Sequence, residues 1–296
     1  VKLLGFSRVV KRDKTWFFLL LPAIAYFLLF FAYPVYNLFY NSLTTQSGTI
    51  TSQNFSYLLK DPYLPTVLWV TLLYVIGAVG LEMLAGISLA IIAQNLASKV
   101  RGALQIITIL PLMIPPVIVG LMFLLLYDTN YGPIDFFLRS LGLPAVNWLG
   151  STNLALLSVI LADVWRYSPF VFLIIFAALQ SVPSHLYEAA MLEGPSRWQM
   201  FRHVTLPMIR PALVVALLLD TIGVLKGFDL IYVLEGGGPG LATTVLSYYI
   251  YIWGFVYNNP HVAAALSILF LAIVLLIVGV TIKFTKIEEY LGLKRK

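Results

Sequence analysis

The sequence predicts an all-α integral membrane protein with six transmembrane helices. Three observations predict it. Of the 296 residues, 60% are hydrophobic and only 11% are charged, against about 25% charged in a soluble domain. Six apolar runs, at residues 16–40, 66–94, 104–127, 154–179, 212–233 and 263–284, match the roughly 20 residues that a helix needs to cross a bilayer core. These runs are continuous, whereas a membrane β-barrel shows alternating segments of about ten residues.

Each run has its own grounds. The first follows the basic residues Lys2, Arg8, Lys11, Arg12 and Lys14, an order that a secretory signal shares. Its apolar stretch is longer than the roughly 7–15 residues of a signal core, so a retained first helix is expected. In the second run Gly77, Gly80 and Gly86 suit close helix packing. The third contains TILPLMIPPVIVG, with Pro111, Pro115 and Pro116, each removing a backbone donor and favouring a kink. In lipid such breaks persist where protein or a water-lined cavity satisfies the freed carbonyls. The fourth and fifth carry ionisable residues, and the sixth carries a charge only at its end, at Lys283.

Basic residues sort by loop. Fifteen of the 19 lysines and arginines lie before the first span, between the second and third, between the fourth and fifth, or after the sixth; only Lys60 and Arg139 lie in the alternate loops. This positive-inside bias predicts cytoplasmic termini and outward-facing loops at 41–65, 128–153 and 235–260. It also explains the net charge of +6 without nucleic acid. Cysteine is absent, so disulfide and thiol chemistry are excluded. No segment has the length and polarity of an attached soluble domain, and no internal repeat supports an inverted-repeat secondary transporter.

Between the fourth and fifth runs lies YEAAMLEGPSRWQMFRHVTLP, residues 187–207, charged where its surroundings are apolar. Pro183 stops the preceding helix and Ser184 is a suitable N-cap. The stretch from His185 to Glu193 favours helix, with Glu188 near the first turn, where negative charge suits the helix dipole. Gly194 terminates it. Pro195 then suits the opening of a second short helix, on which Trp198, Phe201 and Val204 form an apolar stripe. Leu206, Pro207 and Pro211 are expected to end that helix. A nine-residue helix is too short to stand alone, and Ala189 and Ala190 leave its backbone open to close approach. Glu188, Glu193 and the alanines make a poor lipid-binding face. The loop reads as a docking element for a cytoplasmic protein.

Glu188-Ala189-Ala190, Gly194, Phe201, Leu206-Pro207 and Pro211 resemble the EAA signature of permease subunits of binding-protein-dependent ABC importers. Glu193 stands where that family has aspartate, and Pro195 where it has alanine. YGPIDFFLRSLGL, LADVWRYSPFVFLIIFAALQSVP and LKGFDLIYVLEGGGPGLATTVLSYYIYIWGF resemble the carbohydrate branch, of maltose and glycerol-phosphate type. The resemblance implies a type I importer permease fold. Residues 1–62 would hold the N-terminus, first helix and outer loop. Residues 63–284 would form a five-helix core with the EAA loop at 184–211, and 285–296 a cytoplasmic tail. It implies a prokaryotic inner membrane, a second homologous permease, two cytoplasmic ATPase subunits and an external sugar-binding protein. It further implies that Glu188, Ala189, Ala190, Glu193 and Gly194 seat in the ATPase. The chain has no GxxxxGK[ST] loop. No catalytic role, cofactor or metal is therefore expected of it, and ATP and Mg belong to the ATPase partner.

Ionisable side chains within spans are functional candidates: Glu82, Asp163, Arg166, Asp220, Lys226 and Asp229. Asp163 and Arg166 share a helix face at i, i+3, as would Lys226 and Asp229; each pair is either a neutralised structural contact or a set of ligands. Sugars need aromatic faces and directed hydrogen bonds, because buried hydroxyls without partners are costly. Trp165, Arg166, Tyr167 and Phe170 are adjacent, and Asp220, Val224 and Gly227 fall on one helix face. In maltose-type relatives the matching segments line the sugar site. The resemblance thus implies a substrate path along Arg166, Tyr167, Phe170, Asp220, Val224 and Gly227, with Trp165, Lys226 and Asp229 beside it.

GGGPG, residues 236–240, lacks the lysine of a phosphate loop and is expected to be a flexible outer turn, with Tyr248, Tyr249 and Tyr251 as interfacial anchors. His185, His203 and His261 are scattered, and no carbonyl filter or charged ring marks a channel. A permease for a non-sugar solute, or an ion-coupled secondary transporter, remains the alternative.

Overall fold

The computed structural model describes residues 15–192 and 194–285. Among these residues the regular structure is helical, apart from an isolated antiparallel bridge between Thr44 and Ile50. Helix α1 (Thr15–Phe27) runs through a π turn, Leu28–Ala32, into α2 (Tyr33–Ser42), giving one span, Leu19–Ser42. The π turn precedes Pro34, which has no N–H to return to the turn behind it. A short α3 (Gln53–Lys60) lies in the following loop. Helix α4 (Leu64–Gln94) has 31 residues, or about 46 Å at the α-helical rise, longer than a hydrocarbon core of ~30 Å.

The third run is where expectation and structure part. It is broken outright rather than kinked. Helix α5 (Ser98–Ile109) tightens into a 3₁₀ turn, Leu110–Met113, and α6 (Pro116–Leu126) leaves it at 98°. Ile114 and Pro115 are extended, with ψ of 127° and 140°. A residue before proline is held out of the helical region, so two successive prolines at 115 and 116 stop one helix and start the next.

Helix α7 (Pro133–Ser140) stands in the next segment, 128–153, which the sequence marked as an outward-facing loop. Helix α8 (Ala155–Gln180) is continuous through Pro169. Then come α9 (Ser184–Met191), α10 (Arg197–Met200), a π turn at Phe201–Thr205, and α11 (Leu206–Leu225). The fifth span therefore starts at Arg197 and ends at Leu225, not at 212 and 233. Pro207 and Pro211 do not terminate the helix. The π turn before Pro207 widens the ladder where the proline donor is missing, and Pro207 sits at the first turn of α11, where no donor is needed. Helices α12 (Asp229–Leu234) and α13 (Leu246–Tyr251) follow; a π turn, Ile252–Val256, and α14 (Pro260–Thr285) complete the series.

The chain divides into two compact units. One contains the residues up to Lys60 together with Trp253–Ile268. In it Asn54 Nδ2 donates to the carbonyls of Ser42 and Thr44, each at 3.0 Å, and Tyr57 meets Trp253 edge-on at 5.3 Å. Its first span is largely uncovered by the other described residues, with Leu19 69% and Phe30 63% exposed.

The other unit contains Asp61–Ile252 and the residues from Leu269 on. Helices α4, α8 and α11 form its centre. One core cluster gathers Tyr74, Val159, Val224 and Ile231; a second gathers Ala90, Phe172, Ile175 and Ile209. The glycine stripe on α4 works unevenly. A Cβ at Gly86 would lie 2.6 Å from Val171 Cβ, and one at Gly77 would lie 2.8 Å from Ile160 Cδ1, whereas Gly80 has nothing within 4 Å. Gly77 and Gly86 thus set the α4–α8 approach, and Gly80 contributes nothing to it.

Candidate translocation wall and coupling loop

The charged loop folds as two short helical pieces around Gly194. Its first piece, α9, has Pro183 at the N-cap position; Ser184 is the first helical residue and makes no cap hydrogen bond. The α9 turns end in Leu192, and Gly194 takes φ +66°, a conformation that glycine adopts without steric cost. Pro195 does not open the next helix. Ser196 does so through a capping box, its Oγ accepting from Gln199 N–H at 3.3 Å while Gln199 Oε1 accepts from Ser196 N–H at 2.7 Å.

Trp198 and Phe201 stack at 5.7 Å. Across the bend, Tyr187 Oη and Thr205 Oγ1 are 3.1 Å apart, tying α9 to the π turn below α11. A hollow of about 900 Å³ lies beside them, lined by Ile91, Gln94, Tyr187, Trp198 and Phe201. Glu188 and Ala189 are exposed and Ala190 is partly so. Leu192 is 90% and Trp198 66% exposed, an apolar tip on a charged loop. Glu193 lies outside the described residues.

The intramembrane residues form a second group, held by α4, α8 and α11. Asp163 on α8 is 2% exposed. It accepts from Tyr74 Oη of α4 at 2.6 Å through one oxygen, and from Arg166 Nη2 at 2.7 Å and Nε at 3.2 Å through the other. The Arg166–Asp163 contact is the ion pair that the i, i+3 spacing predicts. The guanidinium lies 4.9 Å from the Tyr167 ring centre, and Tyr167 stacks on Phe170 at 5.1 Å. Facing this ladder, a Cβ on Gly223 of α11 would lie 3.0 Å from Tyr167 Oη. A glycine there lets the phenol reach the α11 backbone. Arg166, Tyr167 and Phe170 are half-buried, and Trp165, edge-on to Phe123 at 5.6 Å, is 39% exposed.

Asp220 on α11 is fully buried and Val224 nearly so. Gly227 lies past the end of α11, beside Tyr74 Oη and with its carbonyl accepting from Ser247 Oγ at 3.0 Å. Lys226 and Asp229 are exposed and make no ion pair with each other. Their i, i+3 spacing does not bring them together because the helix breaks between them, at 226–228.

Tyr74 was not legible as a partner of Asp163, since a tyrosine 89 positions away carries no pairing signal. Glu82, fully buried on α4, was visible only as an ionisable residue within a span.

The glycine-rich turn is pinned rather than loose. Thr243 Oγ1 donates to Gly238 O and Thr244 Oγ1 to Gly237 O, both at 2.8 Å. Tyr248 and Tyr249 are 9% and 5% exposed, too enclosed for interfacial anchors. Tyr249 donates to Asp61 Oδ2 at 2.6 Å, and Tyr248 packs on Phe228. Beside the turn, desolvation pushes the Glu235 carboxyl up to about 7. Asp128, in the loop before α7, is held below the usual carboxylate range by the backbone N–H groups of Tyr131 and Asn130.

Residues 82–284 match the model of the binding-protein-dependent transport system inner membrane component. The chain belongs to that family. It is the permease of a binding-protein-dependent ABC importer, a multi-pass subunit of the plasma membrane and not an enzyme.

Among its relatives is the trehalose/maltose transport system permease protein MalF of Thermococcus litoralis, 35% identical over 289 residues, 95% of each chain. The sulfoquinovosyl glycerol transport system permease protein SmoG of Agrobacterium fabrum is 31% identical over 278 residues, covering 92% of this permease and 90% of that protein. Among solved structures, a bacterial ABC transporter involved in the import of the acidic polysaccharide alginate superposes with a TM-score of 0.83 at 29% identity, over 94% of this permease and 96% of that chain. Inward-facing structures of a methionine ABC transporter share the fold, with a TM-score of 0.57 at 19% identity.

Proposed function

We propose that this permease imports a di- or oligosaccharide. In this reading it pairs with a second, homologous permease, and each contributes half of a path that opens alternately to the two sides. An external binding protein delivers the sugar. Two cytoplasmic ATPase subunits, which use ATP and Mg, drive the cycle through α9 and the bend at Gly194, with both termini of this chain cytoplasmic. The tie from Tyr187 to Thr205 gives the loop a direct mechanical link to α11.

One observation carries the sugar assignment: near the middle of α8 the Tyr167 ring, with the Arg166 guanidinium 4.9 Å from its centre and Phe170 stacked on it, reaches Gly223 of α11. That set supplies the directed donors and flat faces that hydroxyl-rich rings require. The carbohydrate named for relatives such as the trehalose/maltose permease of Thermococcus litoralis supports the same reading. In the described conformation Asp220 is enclosed, so it would meet substrate only when α11 parts from α4. Asp220 then accepts from sugar hydroxyls while Arg166 donates.

The test is ATP-driven uptake by Arg166→Ala and Asp220→Ala permeases whose partner ATPase remains active. A lost hydrogen bond to a charged group is worth about 1.5–3 kcal/mol, so uptake at low sugar should fall roughly tenfold or more. Wild-type uptake by both variants would remove the assignment.

A further inference from the structure

Two carboxylates within the apolar helices have no visible partner among the described residues. Glu82 of α4 and Asp220 of α11 are each 0% exposed, on two helices that pack against each other. All four of their oxygens are buried and receive no hydrogen bond from any other group. Buried polar atoms without partners are rare enough to require an explanation, and two anions in contact out of water repel strongly.

The neighbours do not resolve it. Arg166 is the nearby cation, but its guanidinium is held by Asp163, and Tyr74, the nearby phenol, donates to Asp163 as well. Tyr167 completes the charged and titratable surroundings. Asp163 and Arg166 neutralise each other, leaving the two acids with no counter-charge of their own. Among the described residues no three acidic, histidine or cysteine side chains are grouped to hold a metal ion. A single proton placed between the carboxylates turns repulsion into one O–H···O⁻ bond, the strong, charge-assisted kind.

We infer that Glu82 and Asp220 share one proton and form a clasp joining α4 to α11, with Glu82 as the positioning residue that holds Asp220. The clasp ties α4 to α11 at the level where Tyr74 and Asp163 tie α4 to α8. It holds Asp220 enclosed between α4 and α11 until the two helices part, and keeps α11 from settling in a register that would leave a lone anion in the bilayer. The idea rests on the proposed function only in treating Asp220 as a residue of the path.

Infrared difference spectra of the purified transport complex read the proton without any sugar. Wild type minus Glu82→Gln should show the carbonyl stretch of one protonated carboxyl. Glu82→Gln minus Glu82→Gln/Asp220→Asn should show none, because the introduced amide at position 82 then donates to an ionised Asp220. No such band in the first spectrum means both groups are ionised, and a band in the second means each holds its own proton. Either result overturns the inference.

Uptake supplies the second arm. Glu82→Gln keeps a donor and should transport within about twofold of wild type, whereas Glu82→Ala strands Asp220 and should lose roughly tenfold or more, the effect of one lost hydrogen bond to a charged group. Equal transport by the two variants also overturns it. Absence of sugar uptake in every protein, with the expected bands present, refutes the sugar assignment and leaves the clasp standing.

Discussion

Gly86 shows how much of this permease is decided by single atoms. A methyl group there would meet Val171 Cβ at 2.6 Å and the Phe172 backbone nitrogen at 2.9 Å, and backbone cannot rotate away. Overpacking of this kind costs about 1–3 kcal/mol. Gly86→Ala should therefore lower the thermal midpoint of the purified complex. Gly80→Ala should not, since its Cβ meets nothing and alanine is the better helix former. Equal effects at the two positions would contradict the close approach of α4 and α8. The sequence offered three equivalent glycines; only the rotation of α4 against α8 distinguishes them, and that is a tertiary property.

Glu235 supplies a pH prediction. Its carboxyl titrates at about 7 in the folded protein against 4.5 unperturbed, so the folded state holds a proton that the unfolded chain has lost across that window. Stability then falls as pH rises between those values and levels off above them. Thermal midpoints at about pH 5 and about pH 8, chosen to bracket that window, should differ more for wild type than for Glu235→Gln. An identical difference in both proteins would rule out Glu235 as the cause.

At the level of elements, legibility followed local chemistry. Gly194 was readable as a terminator because a positive φ favours glycine, and the structure puts it at +66°. The third run showed its prolines but not its 98° break, because whether a proline kinks or ends a helix depends on what satisfies the freed carbonyls. The π turn ahead of Pro207 was invisible for the same reason, and it carried the fifth span back to Arg197. Helices α7 and α13 are too short for hydropathy to reveal and lie in stretches read as loop, while α12 falls within what was read as the end of the fifth run. Gly194→Val places a β-branched side chain in the left-handed region, costing about 1–2 kcal/mol. It should reduce uptake per ATP hydrolysed by disturbing the lever while leaving the spans intact. An unchanged ratio of uptake to hydrolysis would show that the bend transmits nothing.

For the whole molecule, the six apolar runs and the EAA spacing made family and class legible. The pattern of contacts inside the bundle was not: Tyr74 with Asp163 and Tyr167 with Gly223 join residues from separate helices that no spacing relates. Tyr74→Phe tests the first of these. It removes one of the two donors to Asp163 and should cost about 1–3 kcal/mol in unfolding of the complex, whereas a neutral outcome would mean that Arg166 alone satisfies the acid. The first span is exposed along most of its length among the described residues.

The central claim is that ATP hydrolysis on a separate subunit drives solute through this permease by way of α9. The chain contains no cysteine, so Ala190→Cys introduces a unique thiol in that helix. The measurement is ATP-dependent accumulation of labelled oligosaccharide in proteoliposomes holding the complete complex and its binding protein, before and after a bulky maleimide reacts at that thiol. The account predicts accumulation that requires ATP and is abolished by the maleimide. Accumulation that survives the modification, or that needs only an ion gradient, would contradict it.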